Sequence, residues 1–308
     1  MVVNVRNMMK NKKSNEFLLR FLEKAAPAFF LLCAVISILT TIGIVLTLVV
    51  ETITFFNRVP FMEFITGTKW WPFGKNASYG ILPLISGTLL ITVVAMMVAI
   101  PVGLASAIYL SEFASFRVRK VVKPILEVLA GIPTIVYGFF ALTFVTPMLQ
   151  VVISDLPIFN ALSPGIVVGI MIIPMIASLS EDAMSSVPST IREGAFAMGS
   201  TRLEVALKVV VPAALSGIIA SFVLGVSRAI GETMIVSVAA GSTPKLTTDV
   251  TDSIQTMTGY IVQVTLGDAS YGSTTYYSIY AVGMTLFVFT LLMNLLSQFI
   301  SRRFKEDY

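Results

Sequence analysis

The residues best suited to chemistry in this sequence are an arginine and a glutamate within an apolar segment. Residues 223–236 read VLGVSRAIGETMIV, which places Arg228 and Glu232 four residues apart. On a continuous helix this spacing puts both side chains on one face. The arginine guanidinium presents a rigid fork of donors that matches the oxygens of an oxyanion. The glutamate could keep that binding weak, or accept a hydrogen bond from a protonated oxyanion.

Two interpretations of this pair are open. Arg228 and Glu232 either line a pathway in which the arginine contacts an anion briefly, or form an ion pair that fixes two helices together. A charge at the centre of a membrane costs about 2.5–3.5 kcal/mol on insertion scales, which favours the functional interpretation. Glu127 is a second candidate for the pathway. However, Lys123 lies four residues before it, and this spacing favours an ion pair on one helix face.

The composition indicates that lipid surrounds these charges. The 308 residues are 56% hydrophobic and 12% charged, whereas an ordinary soluble domain is about 25% charged. The chain has no histidine and one cysteine, Cys33, which excludes histidine catalysis, histidine metal sites and an internal disulfide. The nearest string to a P-loop, FGKNA at 73–77, lacks its first glycine and its Ser/Thr. We therefore expect no bound cofactor and no ATP hydrolysis by this chain, and we disfavour a membrane enzyme.

Six apolar stretches are long enough to cross a membrane, which takes about 20 residues of helix. They are Ala25–Val50, Gly80–Ser111, Val128–Ser154, Leu156–Ser180, Val209 to beyond Gly231, and a stretch within Ala269–Ser301. The fifth stretch is interrupted only by Arg228 and Glu232. The sequence therefore predicts an all-α, polytopic membrane protein with six transmembrane helices.

The basic residues predict the direction of the six helices. With the N-terminus inside, sixteen Lys and Arg residues fall in inside segments and four fall in outside loops. Positive charge is retained on the cytoplasmic side of membrane proteins, so both termini and the segments 111–123 and 181–208 are predicted to be cytoplasmic. The same bias accounts for the net charge of +4 without a nucleic-acid partner.

The sequence also predicts how the helices meet and what the outside loops hold. Small residues recur every fourth position in two spans, which predicts close helix contacts; they are Ala95, Ala99, Gly103 and Ala107, and Gly217, Ser221, Gly225 and Ala229. In the 52–79 loop, Trp70, Trp71 and Phe73 are expected near the membrane interface. In the 241–268 loop, DSIQTMTGYIVQV is expected to form a short amphipathic helix on the surface.

Residues 192–214, REGAFAMGSTRLEVALKVVVPAA, form what we call the signature segment, because they resemble the cytoplasmic signature of ABC-importer permeases, E-A-A-x3-G-x9-I-x-L-P. The positions that match are Glu193, Ala195, Gly199 and Pro212, while Gly194, Val209 and Val211 are mild departures. The resemblance implies two short helices joined by a turn, which dock on a separate ATPase subunit. The residues agree, since Ser186 or Ser189 offers a cap, Pro188 marks a helix start and Gly199 can end the helix in a left-handed conformation.

Most of the chain is similar to the phosphate-specific transport (Pst) permeases. The similarity lies in residues 79–115, in LEVLAGIPTIVYGFFALTFVTP at 126–147 and in SRAIGETMIV at 227–236, and the tryptophan-containing loop resembles the C-type subunit (PstC) more than the A-type. This implies a type I ABC-importer permease fold over 25–301, with cytoplasmic ends at 1–24 and 302–308. It also implies import of inorganic phosphate across the cell membrane, with Arg228 and Glu232 in the path.

The implied partners are membrane lipid, an A-type permease, two copies of an ATPase subunit and an external phosphate-binding protein. The alternatives within the class are an A-type phosphate permease and a permease for sulfate or molybdate. A stand-alone channel or secondary transporter is the alternative from another class. The signature segment argues against it, because such a protein needs no ATPase-docking segment.

Overall fold

The computed structural model describes residues 5–74 and 76–303 of the chain. Of the predicted cytoplasmic ends, 1–24 and 302–308, residues 1–4 and 304–308 lie outside the described residues. The chain divides into two units, residues 1–51 and 52–308. The described residues of the first unit belong to one long helix, α1 (Val5–Phe56), whose apolar part, Ala25–Phe56, is long enough to span a membrane.

The second unit holds the last turn of α1 and the following elements. In chain order these are α2 (Phe61–Thr66), β1 (Trp70–Trp71), β2 (Ser78–Tyr79), α3 (Leu82–Ile108), α4 (Phe116–Ala130), α5 (Thr134–Phe140), α6 (Thr146–Gln150), α7 (Leu162–Ser185), α8 (Ser189–Ala197), α9 (Arg202–Val205), α10 (Val211–Ala213), α11 (Leu215–Ile230), α12 (Met234–Ala239), α13 (Met257–Gln263) and α14 (Thr274–Arg303). The two short strands pair antiparallel. π-Helical turns follow α3, α5, α9 and α13, at Tyr109–Phe113, Ala141–Val145, Ala206–Val210 and Val264–Asp268.

The predicted number of spans agrees with the helices of the described chain. Four single helices are long and apolar enough to cross a membrane, and two bent pairs raise the total to six. The pairs are Phe116–Ala130 with Thr134–Gln150, bent by 87°, and Arg202–Ala213 with Leu215–Ile230, bent by 73°. The first bend falls at Gly131–Pro133, because proline lacks an amide donor and disfavours helix at the residue before it.

The predicted fourth span, Leu156–Ser180, has wrong boundaries. The helix α7 begins only at Leu162 and continues to Ser185. Asn160 explains the late start, because its Oδ1 accepts a hydrogen bond of 2.8 Å from the Ser163 amide and so satisfies one of the free donors at the start of the helix. Residues 181–185 therefore continue the helix α7, so the predicted 181–208 segment begins as helix.

Small residues pack α3, α7 and α11 together, as predicted. The α3 stripe from Ala95 to Ala107 is buried, and Gly103 faces Ile176 of α7. On α11, Ser221 exchanges a hydroxyl hydrogen bond of 2.8 Å with Ser180 of α7. Gly225 lies against Ile172 and Ile176. In lipid, helices associate through this kind of close packing and interhelical hydrogen bonding, so these contacts hold the centre of the unit together.

An aromatic cluster organises the segments 52–79 and 241–268. Trp70 is buried inside the protein, and its ring meets Tyr260 edge to face with centroids 4.8 Å apart. Tyr260 lies on α13, in the segment predicted to form a surface helix. The predicted short helix is present, but its placement on the surface is wrong, because α13 turns Met257, Thr258 and Tyr260 into the interior. Burial raises the pKa of Tyr260, whose hydroxyl shares a hydrogen bond of 2.6 Å with Ser278.

We expect Gly169→Val to destabilise the protein more than Gly43→Val. A Cβ at Gly169 would lie 2.7 Å from the Ala95 carbonyl oxygen and 2.9 Å from Val98 Cβ, whereas one at Gly43 meets nothing within 4 Å. Overpacking of this kind costs about 1–3 kcal/mol. The measurement is the thermal unfolding midpoint of each variant in detergent. Equal midpoints for the two variants would contradict the close α3–α7 contact.

Candidate functional site

Glu232 lies beyond the end of the helix that carries Arg228, and its side chain caps the next helix. The helix α11 ends at Ile230, with Gly231 as its C-cap, and α12 begins at Met234. Glu232 Oε1 accepts hydrogen bonds from the amides of Met234 (3.1 Å) and Ile235 (3.3 Å). A carboxylate at a helix N-terminus satisfies free amides and complements the helix dipole. The prediction that Arg228 and Glu232 share one helical face is therefore wrong.

Glu232 is held in this place by a second contact. It is 7% exposed, and its backbone carbonyl accepts a hydrogen bond of 2.7 Å from Thr258 Oγ1 of α13. The letters GET contain a signal for the break, since glycine ends helices and Glu or Thr suits a new start. The apolar residues on both sides outweigh this signal, because together they predict one continuous span.

Arg228 lies at the wall of an open cleft between α4, α7 and α11. The cleft has a volume of about 490 Å³ and is lined by Arg228, Lys123 and Glu127 together with apolar side chains; we call it the Arg228 cleft. In the described part of the chain no ion pair joins Arg228 to Glu232, although both line a smaller recess. The guanidinium is therefore available to a ligand in the cleft.

The predicted ion pair between Lys123 and Glu127 is wrong. Lys123 Nζ instead contacts the carboxylate of Glu181 and lies 3.4 Å from Asp182 Oδ1. Glu127 is exposed and lines the Arg228 cleft, so the structure brings this candidate together with Arg228. The intrahelical spacing gave the wrong partner because α7 presents two carboxylates to the same face of α4.

Glu181 is a buried carboxylate that the sequence analysis missed. It is 1% exposed and receives a hydrogen bond of 3.0 Å from Ser185 Oγ. Arg119 Nη1 lies 3.8 Å from its Oε1, and Lys123 contacts its Oε2. A sequence signal did exist, because like charges four residues apart repel on a helix and so indicate a shared counter-charge. Arg119 and Lys123 have that spacing.

The signature segment forms two short helices joined at Gly199. The first helix, α8, starts after Pro188 without a side-chain cap, so neither Ser186 nor Ser189 has the predicted capping role. Gly199 has φ +88°, which confirms the predicted left-handed turn. The second helix, α9, starts with a capping box in which Thr201 and Glu204 bond each other's backbone amides. Glu193 and Gly194 are exposed on α8.

Arg192 fastens the signature segment to the ends of α3 and α7. Its Nη2 lies 3.1 Å from Glu112 Oε1, in the π-helical turn after α3, and donates to the Met184 carbonyl at 2.6 Å. Its Nη1 donates to the Val187 carbonyl. Pro212 lies on α10, two residues before the 73° bend into α11. The segment is thus connected to the helices of the Arg228 cleft by side-chain and backbone contacts.

Comparison with known sequences extends over most of the chain. The family described as "Binding-protein-dependent transport system inner membrane component" matches residues 99–306. The probable ABC transporter permease protein YqgH of Bacillus subtilis is 37% identical over 275 residues, 89% of each chain. The phosphate transport system permease protein PstC of Mesorhizobium japonicum is 31% identical over 263 residues, 78% of each chain.

A solved structure has the same fold. The bacterial ABC transporter involved in import of the acidic polysaccharide alginate includes a chain that is 18% identical, with a TM-score of 0.64, over 94% of this chain and 99% of that one. This similarity concerns the fold alone, which is the type I fold of ABC-importer permeases. The helices, the family match and the relatives agree: this chain belongs to the family of binding-protein-dependent transport system inner membrane components and is a multi-pass permease subunit of an ABC importer.

Proposed function

We propose that the chain is the C-type permease of an ATP-driven importer for inorganic phosphate. The observation that carries this proposal is the position of Arg228, which lines an open cleft between helices of the membrane-spanning unit. A charged side chain within a membrane has a high free-energy cost unless it pairs with another group or binds a ligand. A bidentate contact to a phosphate oxyanion is the binding for which the guanidinium is best suited.

The relatives support phosphate as the substrate and suggest the partners. Several proteins about 30–32% identical to this chain are phosphate transport system permeases named PstC, whereas the name of the Bacillus subtilis relative gives no substrate. The proposed complex pairs this chain with an A-type permease, two ATPase subunits and an external phosphate-binding protein. This chain binds no nucleotide. Sulfate is the competing substrate, because its oxygens offer a guanidinium the same geometry.

The proposed ATPase contact is the exposed surface of the signature segment. Phe196, Met198 and Leu203 are 43%, 86% and 57% exposed there. Apolar side chains on a water-facing segment mark a surface that a partner protein covers. Glu193, Gly194 and Ala195 lie on the same short helix, and Arg192 would transmit its displacement to α3 and α7.

Arg228→Lys should reduce phosphate uptake at least tenfold although it keeps the charge. A charge-assisted hydrogen bond contributes about 1.5–3 kcal/mol, and lysine lacks the planar fork that makes two of them at once. The measurement is ATP-dependent uptake of labelled phosphate, and separately of sulfate, per assembled complex in reconstituted vesicles. Arg117→Lys, an exposed arginine of α4 that does not line the cleft, is the matched control. Sulfate uptake without phosphate uptake by the unmodified complex would overturn the proposed substrate.

Gly199→Val should uncouple ATP hydrolysis from uptake, while Gly199→Asn should retain coupling. A β-branched residue at φ +88° is strained by about 1 kcal/mol or more, whereas asparagine tolerates left-handed backbone. ATPase binding and uptake per ATP hydrolysed are measured in the reconstituted complex. If Gly199→Val assembled and transported normally, this turn would have no part in coupling.

The N-in orientation predicts which sites a thiol reagent reaches from outside. Single cysteines replace Ser115, Ser200 or Ser270 in a Cys33→Ser background, and an impermeant maleimide is added to intact cells. Only Ser270→Cys should react, because Ser115 and Ser200 adjoin the basic segments predicted to be cytoplasmic. Reaction of Ser200→Cys before the cells are opened would reverse the proposed orientation.

A further inference from the structure

Lys123 lies where the Arg228 cleft meets a second opening. This opening, which we call the basic recess, has a volume of about 340 Å³ and is lined by Arg119, Lys120, Lys123 and Glu127 with two apolar residues. Lys123 and Glu127 line both the cleft and the recess. Three of the four charged groups in the recess are cations, so the recess attracts anions.

Lys123 and Arg228 stand at different depths along the bundle. The Ser180–Ser221 hydrogen bond sets the level of α7 against α11, and Glu181, the partner of Lys123, directly follows Ser180. Arg228 lies seven residues beyond Ser221 on α11, which is roughly 10 Å at 1.5 Å per residue. Lys123 is therefore nearer than Arg228 to the signature segment.

Arg119 is fixed in place, whereas Lys123 can move. The Arg119 guanidinium donates through Nε to the Leu110 carbonyl at 3.1 Å and through Nη2 to the Ser111 carbonyl at 3.0 Å. Those two carbonyls lie in the π-helical turn Tyr109–Phe113 that follows α3, so the bonds hold the guanidinium beside Glu181. Lys123 has a flexible four-carbon stem, and its polar contacts among the described residues are to two carboxylates, those of Glu181 and Asp182, and not to backbone carbonyls.

The geometry points to a second oxyanion site at Lys123, between the Arg228 cleft and the basic recess, which receives the phosphate after Arg228 on its way to the cytoplasm. This inference rests on the proposed function for its ligand. In the state described, Glu181 holds the Lys123 ammonium. When an oxyanion arrives, the ammonium turns toward it, while Arg119 and Ser185 Oγ remain as partners of the Glu181 carboxylate.

This exchange needs a cation that binds the oxyanion weakly and releases it readily. A lysine ammonium is a rotatable point charge with three donors, so it can move from a carboxylate to an oxyanion without losing a bidentate geometry. Arg228 binds the anion in the cleft, and Lys123 offers it a competing site closer to the signature segment. Glu181 is on this account a positioning residue, because it holds Lys123 at the junction and balances the charge of that lysine while the site is empty.

The decisive variant is the double substitution Lys123→Met with Glu181→Gln. It removes the ion pair without leaving a buried unpaired charge, so assembly should be normal. The inference predicts phosphate uptake per complex at or below one tenth of the unmodified rate. The matched control is Lys245→Met with Asp252→Asn, which removes an ion pair of 2.7 Å in the 241–268 segment and should retain at least half of the rate. Uptake above one tenth by the first double variant would show that Lys123 serves only to neutralise Glu181.

A second measurement uses the unmodified complex and does not depend on a variant that folds. A small amine-reactive reagent is added with and without millimolar inorganic phosphate, and the rate at which it modifies Lys123 is followed by mass spectrometry. Lys245 is the internal control. Phosphate should slow modification of Lys123 at least threefold more than that of Lys245. Equal slowing of both residues would overturn the site. Failure of the unmodified complex to import phosphate would instead overturn the proposed substrate, so the two failures are distinguishable.

Discussion

The structure depends on one constraint, which is that a backbone amide within a membrane must find its partner inside the protein. The chain interrupts its span at Gly231, and the interruption is tolerated because the Glu232 carboxylate accepts from the amides of Met234 and Ile235. Thr258 completes the arrangement by bonding the Glu232 carbonyl. The Glu232 carboxylate is thereby bound to backbone amides and not to the Arg228 guanidinium. Arg228, four residues earlier, is left facing the cleft with its donors available.

The same constraint explains how the cleft is built. The span that contains α4 is broken at Gly131–Pro133 and bends by 87°, and α4 sets its basic residues Arg119 and Lys123 against α7. Its cations meet the buried carboxylate of Glu181 and the exposed one of Asp182. The close packing of α3, α7 and α11 supplies a rigid wall on the other side. The charges around the cleft are therefore divided between ion pairs, such as Lys123 with Glu181, and side chains with no ion pair among the described residues, such as Arg228.

Several features follow from local patterns and were predictable. Spans follow from apolar length, the α3–α7–α11 contacts from small residues every fourth position, and the Gly199 turn from the need for positive φ after a helix. The partners of charged residues were not predictable in this way. Lys123 was assigned to Glu127 by spacing along one helix, yet it pairs with Glu181 from another helix. Arg228 and Glu232 were assigned to one face, yet a helix break separates them. Such pairings depend on which elements meet, and that is a property of the tertiary fold.

The central claim is that Arg228 handles the anion and is not the structural partner of Glu232. The most direct test is the neutral double variant Arg228→Met with Glu232→Gln, measured as phosphate uptake per assembled complex beside the two single variants. Glutamine keeps an oxygen that can accept from the α12 amides, so Glu232→Gln should assemble. The account predicts that the double variant assembles and transports as poorly as Arg228→Met alone. Restoration of full uptake in the double variant would contradict it, because it would show that the arginine had only balanced the glutamate.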